Sequence, residues 1–112
     1  MKTEVKTQLK IYIAGPMRGY PELNRGEFNK AARLLKAKKV YEVCNPAEWD
    51  EDLGLDVEDL YDRDELAKAM KRDLSAICEC SCIYMLHGWE RSEGARIEHA
   101  LATQLGLVIL YQ

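Results

Sequence analysis

Hydrophobic and polar positions along this chain switch repeatedly between two periods. Four short β-rich runs stand out: Leu9-Lys-Ile-Tyr-Ile-Ala14, Val40-Tyr-Glu-Val-Cys44, Cys82-Ile-Tyr-Met-Leu86 and Leu107-Val-Ile-Leu-Tyr111. Gly15-Pro16, Asn45-Pro46, Ser81 and Gly106 punctuate them, as turn residues bound strands. Between the runs the apolar residues recur at helical spacing. Asn24-Arg-Gly-Glu27 has capping-box spacing and opens a helix carrying Phe28, Ala31, Ala32, Leu34 and Leu35 to about Lys38. A second helix, from Asp64, places Leu66, Ala69, Met70, Leu74 and Ile77 inward. A third, with Ser92 as N-cap and Gly106 as its stop, carries Gly94, Ile97, Glu98, Leu101 and Leu105 on one face. The acidic stretch 48–64 reads as the longest irregular segment, with a helical turn around 57–61.

Strand–helix alternation implies a parallel sheet with helices on its faces. The expected fold is a flavodoxin-like or Rossmann-like α/β domain: a parallel sheet of four to five strands, helices on both faces, one domain over residues 1–112. Such sheets bind ligands at the carboxyl ends of their strands. The unusual residues of this chain cluster there: Gly15 to Gly19 after the first strand, Asn45-Pro46 after the second, and His87 to Gly94 after the third.

Each of these loops has a chemical reading and a plain one. In Gly15-Pro16-Met17-Arg18-Gly19 the small residues admit a ligand to the backbone and Arg18 can fork onto phosphate or carboxylate oxygens. The plain alternative is a surface turn with a solvated arginine. Ser92-Glu93-Gly94 opens a helix whose free amides and dipole favour an anion, although Ser92 caps that helix in either case. Trp89 can stack on a base or cover the core, and Tyr12 can pack or reach a ligand with its hydroxyl. Trp49 and the acidic loop form a lid or an interface; His87 and His99 lack ligand spacing.

Two carboxylates change the picture. Glu98 sits inside an apolar stripe, and a buried carboxylate is costly unless paired. Arg96, His99 or a backbone amide are its candidate partners in a purely structural reading. Asp73 borders the inward face of its helix, three residues after Met70; its plain reading is a pair with Arg72 or Lys71 at the solvent margin. Together the acids suggest a nucleophile and a general acid/base at a glycosidic bond.

Composition narrows the classes. A formal net charge of −3 across 112 residues argues against non-specific binding to polymeric nucleic acid or a membrane, but not against one small anion in a basic pocket. No apolar run is long enough to span a bilayer, and the polar start carries no signal-peptide pattern, so a cytoplasmic protein is expected. Cys44, Cys78, Cys80 and Cys82 lack the paired spacing of a tetrahedral zinc site, and in a reducing compartment they pack as thiols.

Tyr12-Ile-Ala-Gly-Pro-Met-Arg-Gly19, Asn45-Pro46, Arg72-Asp73-Leu74 and Gly94-x-x-x-Glu98, in this order and spacing, resemble the nucleoside 2-deoxyribosyltransferase superfamily. That superfamily includes 2′-deoxynucleoside 5′-monophosphate N-glycosidases and short uncharacterised members of phage type, whose Gly-Trp-Glu-x-Ser-x-Gly-Ala-Arg-x-Glu-His-Ala wording is the nearest match. The resemblance covers Leu9 to Tyr111. It implies that Glu98 attacks C1′ of the deoxyribose, that Asp73 assists proton transfer at the base, and that Arg18, Gly19 and Ser92 hold a 5′-phosphate. It also implies a substrate site including Tyr12, Gly15, Asn45, Trp89 and Gly94, no metal or cofactor, and a homodimer or larger homo-oligomer. The chain departs from the pattern at Pro16, where the monophosphate hydrolases carry a phosphate-contacting serine, and at Ser81, where relatives commonly carry an aspartate. It ends at Gln112, whereas relatives often extend further and give a polar residue to a neighbouring subunit's site. Hydrolysis or transfer at the N-glycosidic bond of a 2′-deoxynucleoside or its 5′-monophosphate is therefore expected. The rival is a non-catalytic module that senses or sequesters a nucleotide.

Overall fold

The computed structural model describes residues 8–56 and 58–112. The polar start of the chain and Val57, part of the expected helical turn at 57–61, lie outside the described residues. Four strands, β1 (Leu9–Ala14), β2 (Tyr41–Cys44), β3 (Cys82–Met85) and β4 (Val108–Tyr111), form one all-parallel sheet in the order β2-β1-β3-β4. The helices are α1 (Arg25–Ala37), α2 (Pro46–Asp52), α3 (Arg63–Cys78) and α4 (Glu93–Leu105). This is the expected flavodoxin-like α/β architecture. Among the described residues no helix is long and apolar enough to cross a membrane.

Strand β1 lies between β2 and β3 in the sheet, with helices packed on both of its faces, so its side chains alternate between two cores. Ile11 and Ile13 pack with Phe28, Ala31, Ala32 and Leu35 of α1. Tyr12 and Ala14 pack with Ile77 of α3 and with Ala95 and Ala102 of α4. The chain runs from β1 outward to β2, then crosses back over β1 to β3. The order of connection thus reverses between β1 and β3, and a crevice opens at their carboxyl ends. Gly15 allows the two strand ends to approach: a Cβ there would lie 2.7 Å from Leu86 Cβ.

Three local expectations are corrected. Asn24 does not build a capping box. Glu22, Leu23 and Asn24 are all left-handed (φ 50°, 56° and 63°), and the Asn24 amide instead donates to the Pro16 carbonyl at 2.9 Å. Buried Leu23 packs with Met17 and Ala69, so this turn ties the β1–α1 loop to α3. Leu34 faces solvent, leaving Phe28, Ala31, Ala32 and Leu35 as the inward face of α1. On α4 the buried line is Ala95, Glu98 and Ala102, with Ile97 and Leu105 exposed. Small alanines allow α4 to lie close to α3 and the sheet, which rotates the expected stripe by one position but keeps Glu98 inside.

The acidic stretch is more ordered than its composition suggested. Asn45 Oδ1 accepts from Ala47 N and so caps α2, with Pro46 in its first turn. A 3₁₀ turn at Asp59–Tyr61 precedes α3, and Asp62 caps that helix by accepting from the amides of Asp64 and Glu65.

Candidate active site

The crevice between β1 and β3 is a cavity of about 370 Å³, within the roughly 300–1,000 Å³ range of small-molecule sites. It is lined from four directions. Strand β1 and its loop supply Tyr12, Gly15, Met17 and Arg18; α2 supplies Pro46 and Asp50; α3 supplies Met70 and Asp73; the start of α4 supplies Ser92, Gly94 and Glu98. Apolar walls from Phe28, Leu66 and Ala69 complete it.

Glu98 and Asp73, far apart in sequence, meet here. Glu98 is buried, and its Oε2 accepts a 2.6 Å hydrogen bond from the Tyr12 hydroxyl. Its partner is therefore neither Arg96, which donates to the Glu90 carbonyl, nor His99, whose Nε2 lies 2.9 Å from the Tyr111 hydroxyl. Burial pushes the Glu98 carboxyl up to about 8, opposed by the Tyr12 hydrogen bond and reinforced by the Asp73 charge. Asp73 pairs with Arg72, as its plain reading expected, with Nε donating at 2.8 Å and Nη2 in ion-pair contact at 2.7 Å. The pair is not at the solvent margin, however, since the Asp73 side chain is only 15% exposed. Burial pushes Asp73 up to about 6; Arg72 and the Tyr12 hydroxyl oppose the rise, and Asp50 adds to it. Burial and the Glu98 charge drive the Tyr12 phenol well above its ordinary value, so it stays a proton donor.

Behind this pair lies a residue the sequence analysis did not single out. Asp50 is only 2% exposed and sits 2.8 Å from Arg72 Nη2. Burial by itself would lower the Arg72 pKa, but Asp73 and Asp50 beside it raise it. The Trp49 ring lies under the Arg72 guanidinium at 5.3 Å and tilts against Tyr12 at 6.4 Å.

The opposite character belongs to the loops after β1 and β3. Arg18 lines the cavity with its guanidinium 5.5 Å from the Tyr61 ring centroid. Ser92 Oγ accepts from Ala95 N at 3.2 Å, and the first turn of α4 borders the cavity where free amides and the positive end of the dipole favour an anion. Arg91, also missed from the sequence, joins Arg18 on the lining. Its signal was available, one residue before a helix cap, but a lone basic residue in a loop is unspecific.

Of the ten residues expected at the site, Tyr12, Gly15, Arg18, Asp73, Ser92, Gly94 and Glu98 line the cavity; Gly19, Asn45 and Trp89 do not. Gly19 is a left-handed turn residue (φ 86°) beside Arg18. Asn45 caps α2 and donates to Asn29 Oδ1 at 2.9 Å, so it supports the wall carrying Pro46 and Asp50. Trp89 stacks on His99, ring centroids 4.2 Å apart, and lies near Tyr111 at the β4 side. The cysteines lie elsewhere: Cys44 and Cys80 contact at 3.9 Å, Cys82 is buried on β3 and Cys78 is exposed.

No curated protein matches the chain. A family described as a domain of unknown function, DUF4406, matches residues 9–111, which span all four strands and all four helices, and the chain belongs to that family.

Proposed function

We propose that the protein cleaves or exchanges the N-glycosidic bond of a 2′-deoxynucleoside or its 5′-monophosphate, with Glu98 as nucleophile. The observation that carries this reading is the convergence of Glu98 and Asp73, from different helices, in one nucleoside-sized cavity with Tyr12 bonded to Glu98. The motif resemblance to nucleoside 2-deoxyribosyltransferases supports the same two acids.

In the first step a Glu98 oxygen forms a bond to C1′ while the C1′–N bond breaks. The bonding pair leaves with the base, which takes a proton from the Asp73 carboxylic acid. Water, deprotonated by the Asp73 carboxylate, then attacks C1′ and releases Glu98; a second base in place of water gives transfer instead. The Tyr12 hydrogen bond favours the ionised Glu98 that the first step needs. Arg18, Arg91 and the α4 N-terminus suit a 5′-phosphate, which favours the monophosphate and hence hydrolysis. A homodimer is part of this reading by resemblance.

One observation favours a second reading. With Glu98 pushed up to about 8, most molecules of the empty protein hold it neutral at pH 7, as a nucleotide-binding module without catalysis tolerates. The deciding experiment is free-base release from a panel of deoxynucleosides and 5′-monophosphates, wild type beside Glu98→Ala. Release that is lost in the variant supports the glycosidase. No release, with a nucleotide raising the Tm of both proteins, supports the binding module.

A further inference from the structure

One guanidinium serves two carboxylates from different helices. Arg72 Nη2 lies 2.8 Å from Asp50 Oδ1 and 2.7 Å from Asp73 Oδ1, while Nε donates to the same Asp73 oxygen at 2.8 Å. The Asp50 contact is one of charge: neither Asp50 Oδ1 nor Arg72 Nη2 has an aligned hydrogen bond. Nor is the Asp50 carboxylate needed to close α2. Asn45 caps the start of that helix, and at its end the Leu55 amide donates to the Asp50 main-chain carbonyl. A carboxylate that is 2% exposed and serves neither as a cap nor as an aligned strut calls for another role.

We propose that Asp50 is a positioning residue for Asp73: by sharing Arg72 it lets the guanidinium orient Asp73 without committing Asp73 to the ionised state. This rests on the reading of Asp73 as the proton-transferring acid. An arginine paired with one carboxylate alone lowers its pKa by roughly one to three units, leaving a poor acid at neutral pH. Here four groups face Asp73: Arg72 on its own helix, Asp50 from α2, Tyr12 from β1 and Glu98 from α4. Asp50 takes part of the positive charge and adds a negative one. The Trp49 ring lies 5.3 Å from the guanidinium carbon, a cation–π contact that favours the placement of Arg72 between the two carboxylates. The consequence runs against the usual expectation for a removed acid, because losing Asp50 makes Asp73 more acidic.

The experiment is a carbon-detected NMR titration of the Asp73 side-chain carboxyl in the free protein, comparing wild type, Asp50→Asn and Asp50→Glu. The expected midpoint is about 6 in the wild type, about one pH unit lower in Asp50→Asn, and restored towards wild type in Asp50→Glu. An Asp50→Asn midpoint that is unmoved or raised overturns the proposal. Asp50→Ser removes the same charge if the asparagine variant does not fold. Where base is released, the low-pH limb of kcat/KM moves with the NMR midpoint; a limb that stays put also overturns the proposal. Absence of base release from the wild type counts against the glycosidase alone, since the carboxyl titration decides the role of Asp50 without substrate.

Discussion

Replacing Glu98 by glutamine should shift the stability difference from wild type steadily in favour of the variant as the pH rises. The folded chain holds the Glu98 carboxyl at about 8 against an ordinary 4.5. An acid with a raised folded-state pKa binds its proton more tightly when folded, so it stabilises the fold relative to the ionised form at low pH. That contribution is present below pH 4.5 and is lost progressively as pH rises through about 8. At about 1.4 kcal/mol per pH unit, wild type loses about 4 kcal/mol between pH 5 and pH 9 through this group alone. Glutamine does not titrate, and its carbonyl can accept the Tyr12 hydroxyl in place of Glu98 Oε2. Its buried NH₂ needs a partner, at a cost of about 1–3 kcal/mol if it finds none, but that cost is the same at every pH. The readout is therefore the change in stability difference between pH 5 and pH 9, by urea unfolding followed through Trp49 and Trp89 fluorescence. It should reach about 4 kcal/mol in favour of Glu98→Gln, or a Tm difference that grows by on the order of 15 °C. A difference that stays constant within about 1 kcal/mol across this range would refute the buried, proton-holding Glu98.

Other outcomes follow from the same geometry. With Glu98 required as carboxylate and Asp73 as acid, kcat/KM should be bell-shaped, with limbs near 6 and 8. The working form is then only about 1% of molecules at pH 7, and a profile flat from pH 5 to 9 contradicts the assignment. Arg18→Gln and Arg91→Gln should each raise KM for a 5′-monophosphate by roughly 10- to 100-fold, leaving the free nucleoside little changed; equal losses on both substrates would remove the phosphate contact. Gly15→Ala places a Cβ 2.7 Å from Leu86 Cβ and should cost about 1–3 kcal/mol by equilibrium unfolding. An unchanged Tm would mean that the β1 and β3 ends separate easily.

Periodicity in the sequence determined the order of strands and helices. Patterns with periods near 2 and 3.6 report which face of an element is buried, so the alternation, the parallel sheet and the crevice at its carboxyl ends are legible in the sequence. The same reasoning found both acids, because a carboxylate on an apolar stripe breaks the pattern around it. Local backbone detail was less legible: Asn24 stands at capping-box spacing yet adopts a left-handed φ of 63°, because its amide is drawn to Pro16 by the loop's own packing. The one-position rotation of α4 escaped for a related reason, since a stripe of leucines and a line of alanines compete and only the approach of α3 and the sheet chooses between them.

Partnerships across the fold were left to the tertiary structure. Tyr12 and Glu98 stand 86 positions apart, and nothing local in either segment names the other. Trp89 could stack on a base or cover the core by its sequence; His99 and Tyr111 hold it at the β4 side. Asp50, one acid among many in an acidic stretch, acquired meaning only when α2 brought it to Arg72. Local sequence sets which side chain faces inward, because that depends on the period of its own element. Which inward-facing groups meet, and what charge each one feels, depends on how separate elements dock, and that decided the chemistry available to this site.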